Sequence, residues 1–114
     1  MKVTVQLTTT GHRSGTPRPV TLYAYEDAGR LVVVGSRGGA ATDPSWAHNL
    51  RANARATVRR GRTEHAVRSR EVEGEDRERL WALATDEFPL YATYQRKTTR
   101  RIPVFLLEPV TDEG

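Results

Sequence analysis

The sequence predicts a mainly β, α+β fold: a small antiparallel β-barrel with helices packed on its outside or across one end. Three observations predict it. Apolar and polar residues alternate over strand-length segments such as KVTVQLTT and VTLYAY, the pattern of half-buried strands. Helical spacing of apolar residues is confined to two clear segments and one short one. The resulting order, β-β-β-α-β-β-α-(α)-β, must fit 114 residues, which suits hairpins better than the long crossovers of parallel strands.

Residues 2–9 form the first strand, with Val3, Val5 and Leu7 on one face. Residues 10–19 (TGHRSGTPRP) hold two Gly and two Pro and read as a long basic loop. A second strand, 20–25, alternates again, and Glu26-Asp27-Ala28-Gly29 makes a hairpin turn with Gly available for positive φ. The run LVVVG, 31–35, is continuously apolar and marks a central strand buried on both faces. Ser36-Arg37-Gly38-Gly39-Ala40 is a second basic, glycine-containing loop. The first helix spans 44–52: Asp43 serves as its N-cap, Pro44 suits its first position and Asn53 closes it. Trp46, Ala47 and Leu50 then share one face. Residues 56–60 and 63–72 make a hairpin around Gly61 with a strongly polar outer face. The second helix, 75–88, lines up Leu80, Trp81, Ala84 and Phe88, with Leu80 and Trp81 assigned to the core. Glu73/Arg77 and Glu75/Arg79 are i,i+4 ion pairs on its exposed part. Pro89 interrupts it, 90–98 is a further short helix with Tyr91 and Tyr94, and 104–107 is the last strand. One domain covers 1–110, with 111–114 as a tail.

Composition narrows the function classes. A chain of this size buries roughly two-thirds of its unfolded surface, enough for a thin core. No apolar run exceeds six residues, against the ~18 or more of a spanning helix, so stable membrane insertion is not expected. No signal-peptide pattern opens the chain, and cysteine is absent, which removes disulfide scaffolds and thiol nucleophiles. A cytoplasmic protein is expected. Lys+Arg is 18 against 14 for Asp+Glu, a net charge of +4, and 16 of the 18 are Arg. Arg presents a planar fork suited to phosphate and carboxylate, so an anionic ligand is the first functional reading.

The chemistry-bearing residues sharpen this. His12, His48 and His65 show no ligand spacing, so no metal site is expected, and Ser14 in GHRSGTP is not a nucleophile elbow. Gly11 to Arg18 gathers two glycines, a serine, two arginines and a histidine, a composition that can turn backbone N–H groups and guanidinium forks toward one anion. Ser36-Arg37-Gly38-Gly39 repeats that chemistry. In an antiparallel barrel the ends of strands one and three lie on the same side, so both loops can converge on one phosphate. Eight aromatics, none within the basic loops, argue against nucleic-acid recognition by base stacking.

LTTTGHRSGTPR (7–18), VVVGSRGGA (32–40), DPSWAHNLRANARATV (43–58), ERLWALA (78–84) and FPLYATYQ…IPVFLLEP (88–109) occur in this order. Together they resemble the deazaflavin (coenzyme F420)-dependent nitroreductase family, over nearly the whole chain. The resemblance implies a six-stranded antiparallel split β-barrel of the FMN-binding type with two or three packed helices. It implies an oxidoreductase that moves a hydride from reduced coenzyme F420 to an electrophilic organic acceptor: a quinone, activated alkene or nitroaromatic. By resemblance His12, Arg13 and Ser14 hold the coenzyme phosphate, with Arg18 beside them. Pro19, Val20, Thr21, Leu22, Tyr23, Val34, Gly35, Ser36, Arg37, Ser45, Trp46, Ala47, His48 and Asn49 match the rest of the coenzyme groove. The coenzyme's phosphodiester and polyglutamate tail suit the Arg surplus. Tyr91 and Tyr94 match substrate-side aromatics, and these two and Ser36 are the candidate proton donors. Trp46 has a competing reading as a core anchor beside Leu50.

The chain departs from the family pattern at several points. His12 stands where Arg or Lys is common, so one charge near the phosphate becomes pH-dependent. Ala47 and Phe88 replace an aromatic and a Tyr, respectively, at positions expected at the pocket. An N-terminal amphipathic segment found in several members is lacking, which points away from a lipid quinone. A small-molecule acceptor, no nucleic acid, and a monomer or homodimer are expected. FMN on the same barrel is the alternative cofactor, and a non-catalytic basic binding module, either a cofactor carrier or a nucleic-acid binder, is the alternative class.

Overall fold

Strand alternation sorts the side chains onto two faces, and the strands close on themselves. The structure, a computed structural model, describes residues 1–110. Its strands are β1 (Lys2–Thr10), β2 (Pro17–Asp27), β3 (Arg30–Val34), β4 (Arg55–Arg60), β5 (Thr63–Glu71) and β6 (Val104–Pro109). They form a closed antiparallel barrel in the order β1-β2-β3-β6-β5-β4, with β4 pairing back onto β1. Helices α1 (Ser45–Ala52), α2 (Gly74–Glu87) and α3 (Leu90–Arg96) pack on it, and a 3-10 turn spans Arg37–Gly39.

Two cores result. Val5, Leu7, Val33, Val58 and Phe105 fill the barrel interior, where α1 adds Trp46, Ala47 and Leu50. Trp46 stands edge-on to Phe105 with centroids 5.7 Å apart. The opposite faces of β2, β3 and β6 present Tyr25, Val32, Val34, Val104 and Leu106 to Leu80 and Ala84 of α2 and Tyr91 of α3. Trp81, expected in the core with Leu80, is only half-buried against this second cluster.

The largest departure from expectation is β2, which starts at Pro17 and not at Val20. Thr10, Thr9 and Thr8 pair with Pro17, Arg18 and Pro19, whereas β3 reaches β2 only at Tyr25, Glu26 and Asp27. This half of β2 is thus an edge strand, the position where proline's missing N–H does not break a ladder. The stretch that reads as loop by its prolines is strand. Asp43 is not the cap of α1: Pro44 sits there without a side-chain cap bond, and the Asp43 carboxylate binds Arg51 and Arg100 at 2.7 and 2.6 Å.

The two intrahelical ion pairs of α2 also give way. Arg77 donates to the Ile102 carbonyl at 2.6 Å, Glu73 pairs with Arg101, and Arg79 forks onto Asp27 at 2.9 and 3.1 Å. A bidentate or partly buried partner outweighs an exposed i,i+4 pair worth a few tenths of a kcal/mol. Arg79 and Arg30 hold the Asp27 carboxyl below the usual range. Val110 continues the β5–β6 register, its N–H on the Ala66 carbonyl. The tail expected at 111–114 lies outside the described residues.

Candidate functional site

One cavity of about 1120 Å³ opens between the β1–β2 turn, β2, the segment after β3, the start of α1, and α3. Every residue expected at the site except Gly35, Ala47 and His48 lines it. The two basic loops do converge.

The first wall is the turn Gly11–Thr16, which is tied to itself. Gly11 N–H donates to the Thr16 carbonyl and Gly15 N–H to that of Gly11, both at 2.8 Å. A Cβ on Gly11 would lie 2.5 Å from Ser14 Oγ, so a larger residue here would turn the serine hydroxyl out of its place. Ser14 Oγ sits 2.8 Å from Thr16 Oγ1 and accepts from Arg18 Nη2 at 3.2 Å. The serine hydroxyl thereby aims Arg18, while Arg13 extends into solvent at the rim.

Asn49 pins this wall from beneath. It is 3% exposed, donates Nδ2–H to Thr9 Oγ1 at 2.9 Å, and its Oδ1 accepts the His12 backbone N–H at 3.0 Å. The same Oδ1 lies 2.6 Å from His12 Nδ1. Because a backbone N–H can only donate, Oδ1 must be the acceptor, and Nδ1 must carry a proton. Nε2 is then the ring nitrogen left without a hydrogen-bond partner among the described residues. The His48 ring lies tilted beside that of His12, centroids 5.9 Å apart.

The second wall follows β3. Arg37, Gly38 and Gly39 all take positive φ, at 46, 63 and 83°. At Gly39 a Cβ would come within 2.9 Å of the Tyr94 carbonyl, so glycine lets this turn press against α3. Arg100 holds the turn from behind. Its guanidinium donates to the carbonyls of Ala40 at 2.7 Å, Ser36 at 2.8 Å and Gly35 at 3.2 Å, and to Asp43 Oδ1 at 2.6 Å. No sequence motif singles Arg100 out among 16 arginines; only the fold brings its four acceptors together.

The third wall is aromatic. Phe88 lies 4.8 Å from Tyr91 and 5.6 Å from Tyr23 between centroids, and Tyr94 completes the face. Lys2 Nζ sits 4.4 Å above the Tyr23 ring. Thr4, Thr9, Gly11, Gly38 and Pro44 also line the cavity and are not among the residues expected there.

Three expected residues lie elsewhere. Ala47 is fully buried because it shares the helical face of Leu50 that enters the barrel. His48 is exposed, its ring beside that of His12, and is not part of the cavity lining. Gly35 is packed against Pro103, where a Cβ would meet Cγ at 2.8 Å, and its N–H bonds the Pro103 carbonyl. Ala47 therefore does not shape the pocket, whereas Phe88 does. Among the described residues no three His, Asp or Glu gather as a metal site, and no described helix is long and apolar enough to cross a membrane.

The edge half of β2 adds a feature that side chains do not. Pro17 and Pro19 must turn their nitrogens away from β1, and the two-residue period turns the N–H and C=O of Thr21 and Tyr23 the same way. β3 does not pair there, and both residues line the cavity. The site thus offers guanidinium and hydroxyl donors at one end, a row of free peptide groups in the middle, and aromatic rings at the other.

Comparison with known proteins gives this arrangement its relatives. The family profile described as F420H(2)-dependent quinone reductase matches residues 1–109. The chain is similar to the F420H(2)-dependent quinone reductase Rv1261c of Mycobacterium tuberculosis, at 34% identity over 89% of this chain and 70% of that protein. A solved structure described as an F420-H2 dependent reductase (FDR-A) superposes with a TM-score of 0.84 at 44% identity, over 92% of this chain and 93% of that one. A second, described as a domain-swapped dimer, gives 0.85 at 44% identity, over 92% of this chain and 79% of that one.

Proposed function

This chain belongs to the F420H(2)-dependent quinone reductase family, and from that premise we propose that the cavity between β2, α1 and α3 is its coenzyme and acceptor site. The protein is an oxidoreductase that transfers a hydride from reduced coenzyme F420 to an electrophilic organic acceptor. The observation that carries the assignment is the convergence of both basic loops, the free β2 edge and the aromatic wall on one cavity. These residues fit the coenzyme by chemistry. His12, Arg13, Ser14 and Arg18 are the donors for its phosphate, and Arg37 is a further cation for its acidic tail. The peptide groups of Thr21 and Tyr23 match a flat heterocycle that carries both donors and acceptors.

The coenzyme, when bound, supplies the hydride. The chain's own part is to bind, orient and keep water off the reacting face. Tyr91 is 5% exposed and, with Phe88 and Tyr94, forms the apolar side against which an acceptor ring can lie. Tyr91, Tyr94 and Ser36 are its proton donors. A quinone, which the family description names, is the acceptor class this wall serves. The domain-swapped relative supports a homodimer as the alternative to a monomer, which light scattering decides.

Titration of the purified protein with reduced coenzyme F420 and with FMN, followed by fluorescence, tests the assignment. Coenzyme F420 is expected to bind more tightly, because Arg13, Arg18 and Arg37 also reach its acidic tail. Equal or tighter FMN binding at physiological salt refutes it. A charge-assisted hydrogen bond contributes roughly 1.5–3 kcal/mol. Arg13 is exposed, so screening places Arg13→Ala near the lower end, about a tenfold loss of affinity.

The pinned His12 predicts an effect of permanent charge. Its Nδ1 proton is fixed on Asn49, so Nε2 can donate to a phosphate only when it carries a second proton, whereas an arginine donates at any ordinary pH. His12→Arg should therefore strengthen coenzyme binding near neutrality, and unchanged affinity would remove His12 from the phosphate contacts.

A further inference from the structure

Tyr25 is fully buried in the second core and takes no part in the site described above. Its O–H donates to the Tyr91 hydroxyl oxygen at 2.7 Å, with the two rings edge-on at 83°. Among the described residues this is the only hydrogen bond either hydroxyl makes. A phenol has one proton. Tyr25 commits its proton to Tyr91, so Tyr91 keeps its own, and that proton has no acceptor among the described residues. Tyr91 is 5% exposed and lines the cavity, which leaves the cavity as the place where an acceptor can stand.

We infer that Tyr25 is a positioning residue that fixes Tyr91 as a hydrogen-bond donor into the cavity, and so sets the site for an oxidised substrate presenting an oxygen lone pair. This rests on the reading of the cavity as the acceptor site. A quinone carbonyl or a nitro oxygen fits a fixed donor. The hydroxyl of a hydroquinone product meets an O–H that is already aimed at it, on an oxygen whose acceptor capacity Tyr25 has partly filled. The pair thus favours substrate over product before any chemistry occurs. Burial pushes both phenols above their ordinary value, while the bond accepted from Tyr25 works the other way on Tyr91. That leaves Tyr91 the readier donor of the two.

The test needs no turnover. Binding of 1,4-naphthoquinone, of 1,4-dihydroxynaphthalene under nitrogen, and of naphthalene to the coenzyme-free protein is read by tryptophan quenching. Wild type, Tyr25→Phe, Tyr91→Phe, the double variant and Tyr94→Phe are compared. The wild type should prefer the quinone. Tyr25→Phe lets the Tyr91 hydroxyl rotate, so quinone affinity should drop about fivefold, the scale of one neutral hydrogen bond, and the quinone-over-hydroquinone ratio should collapse. The double variant should be no worse than Tyr91→Phe, since the two hydroxyls act as one unit. Naphthalene should bind all five proteins alike. Tyr25→Phe keeps the ring, and thermal melts confirm its fold; Tyr25→Met is the second hydroxyl-free variant. If Tyr91→Phe weakens the quinone but Tyr25→Phe keeps the wild-type ratio, the Tyr25 role is overturned and the site reading stands. If the wild type prefers neither probe, or Tyr91→Phe changes nothing, the donor reading of Tyr91 falls and takes the Tyr25 role with it.

Discussion

Arg100→Met should lose coenzyme F420 binding together with about 2–4 kcal/mol of stability, a larger effect than any single cavity-lining arginine. Removing one partner of a fully buried ion pair typically costs about 3–5 kcal/mol, and the partial exposure of Arg100 and Asp43, 13% and 15%, lowers it. Here Asp43 keeps Arg51 as a second cation, which lowers that figure, while three carbonyls lose their donor, which raises it. The guanidinium ties Gly35, Ser36 and Ala40 to Asp43, and between those anchors run the positive-φ residues that put Ser36, Arg37 and Gly38 on the cavity wall. Arg100→Lys is the informative companion. A single ammonium can stay with Asp43 but cannot span four acceptors, so it should recover part of the stability and little of the affinity. Urea denaturation and coenzyme titration on both variants separate the two effects. A destabilised Arg100→Met protein that binds the coenzyme as the wild type does would show that this turn is not a coenzyme wall.

Arg100 also marks where the sequence stops being legible. The barrel can be read because period-two alternation in β1 and the apolar run of β3 are local signals, and each survives as a buried face. The glycine and arginine loops can be read because their composition states what backbone conformation and what ligand charge they allow. What cannot be read is which distant group satisfies a given polar one. Asp43 has the local credentials of an N-cap, yet Arg51 at the far end of the same helix and Arg100, distant in the chain, offer charged partners and take its carboxylate. Arg77 has a glutamate four residues away and binds a carbonyl at Ile102. Pro17 and Pro19 look like loop residues until the sheet shows that no strand lies beside them on their far side. Ala47, His48 and Gly35, which do not line the cavity, follow the same logic. Family position placed them near the coenzyme, whereas the rotation of α1 and the Pro103 contact decide what each one faces.

Asn49→Leu should produce the other large loss, about 2–3 kcal/mol of stability and a marked weakening of coenzyme binding. Leucine has nearly the same shape, so packing of the buried site is kept and the loss is polar. Three interactions go at once: the Thr9 hydroxyl loses its donor, and His12 loses the acceptor of both its backbone N–H and its Nδ1 proton. An unsatisfied buried group costs about 1–3 kcal/mol, but solvent can reach His12 once it swings out, so only part of that sum is expected. The functional loss follows from the same release, because a free imidazole no longer holds Nε2 toward the cavity and the Gly11–Thr16 turn loses its anchor in α1. Thr9→Val separates the two consequences. It removes the Thr9 oxygen and leaves His12 pinned, so it should destabilise by about 1–2 kcal/mol with coenzyme affinity intact. If instead Asn49→Leu and Thr9→Val lower affinity equally, the contribution of Asn49 is to the barrel alone. The pinned tautomer of His12 would then have no part in binding the phosphate.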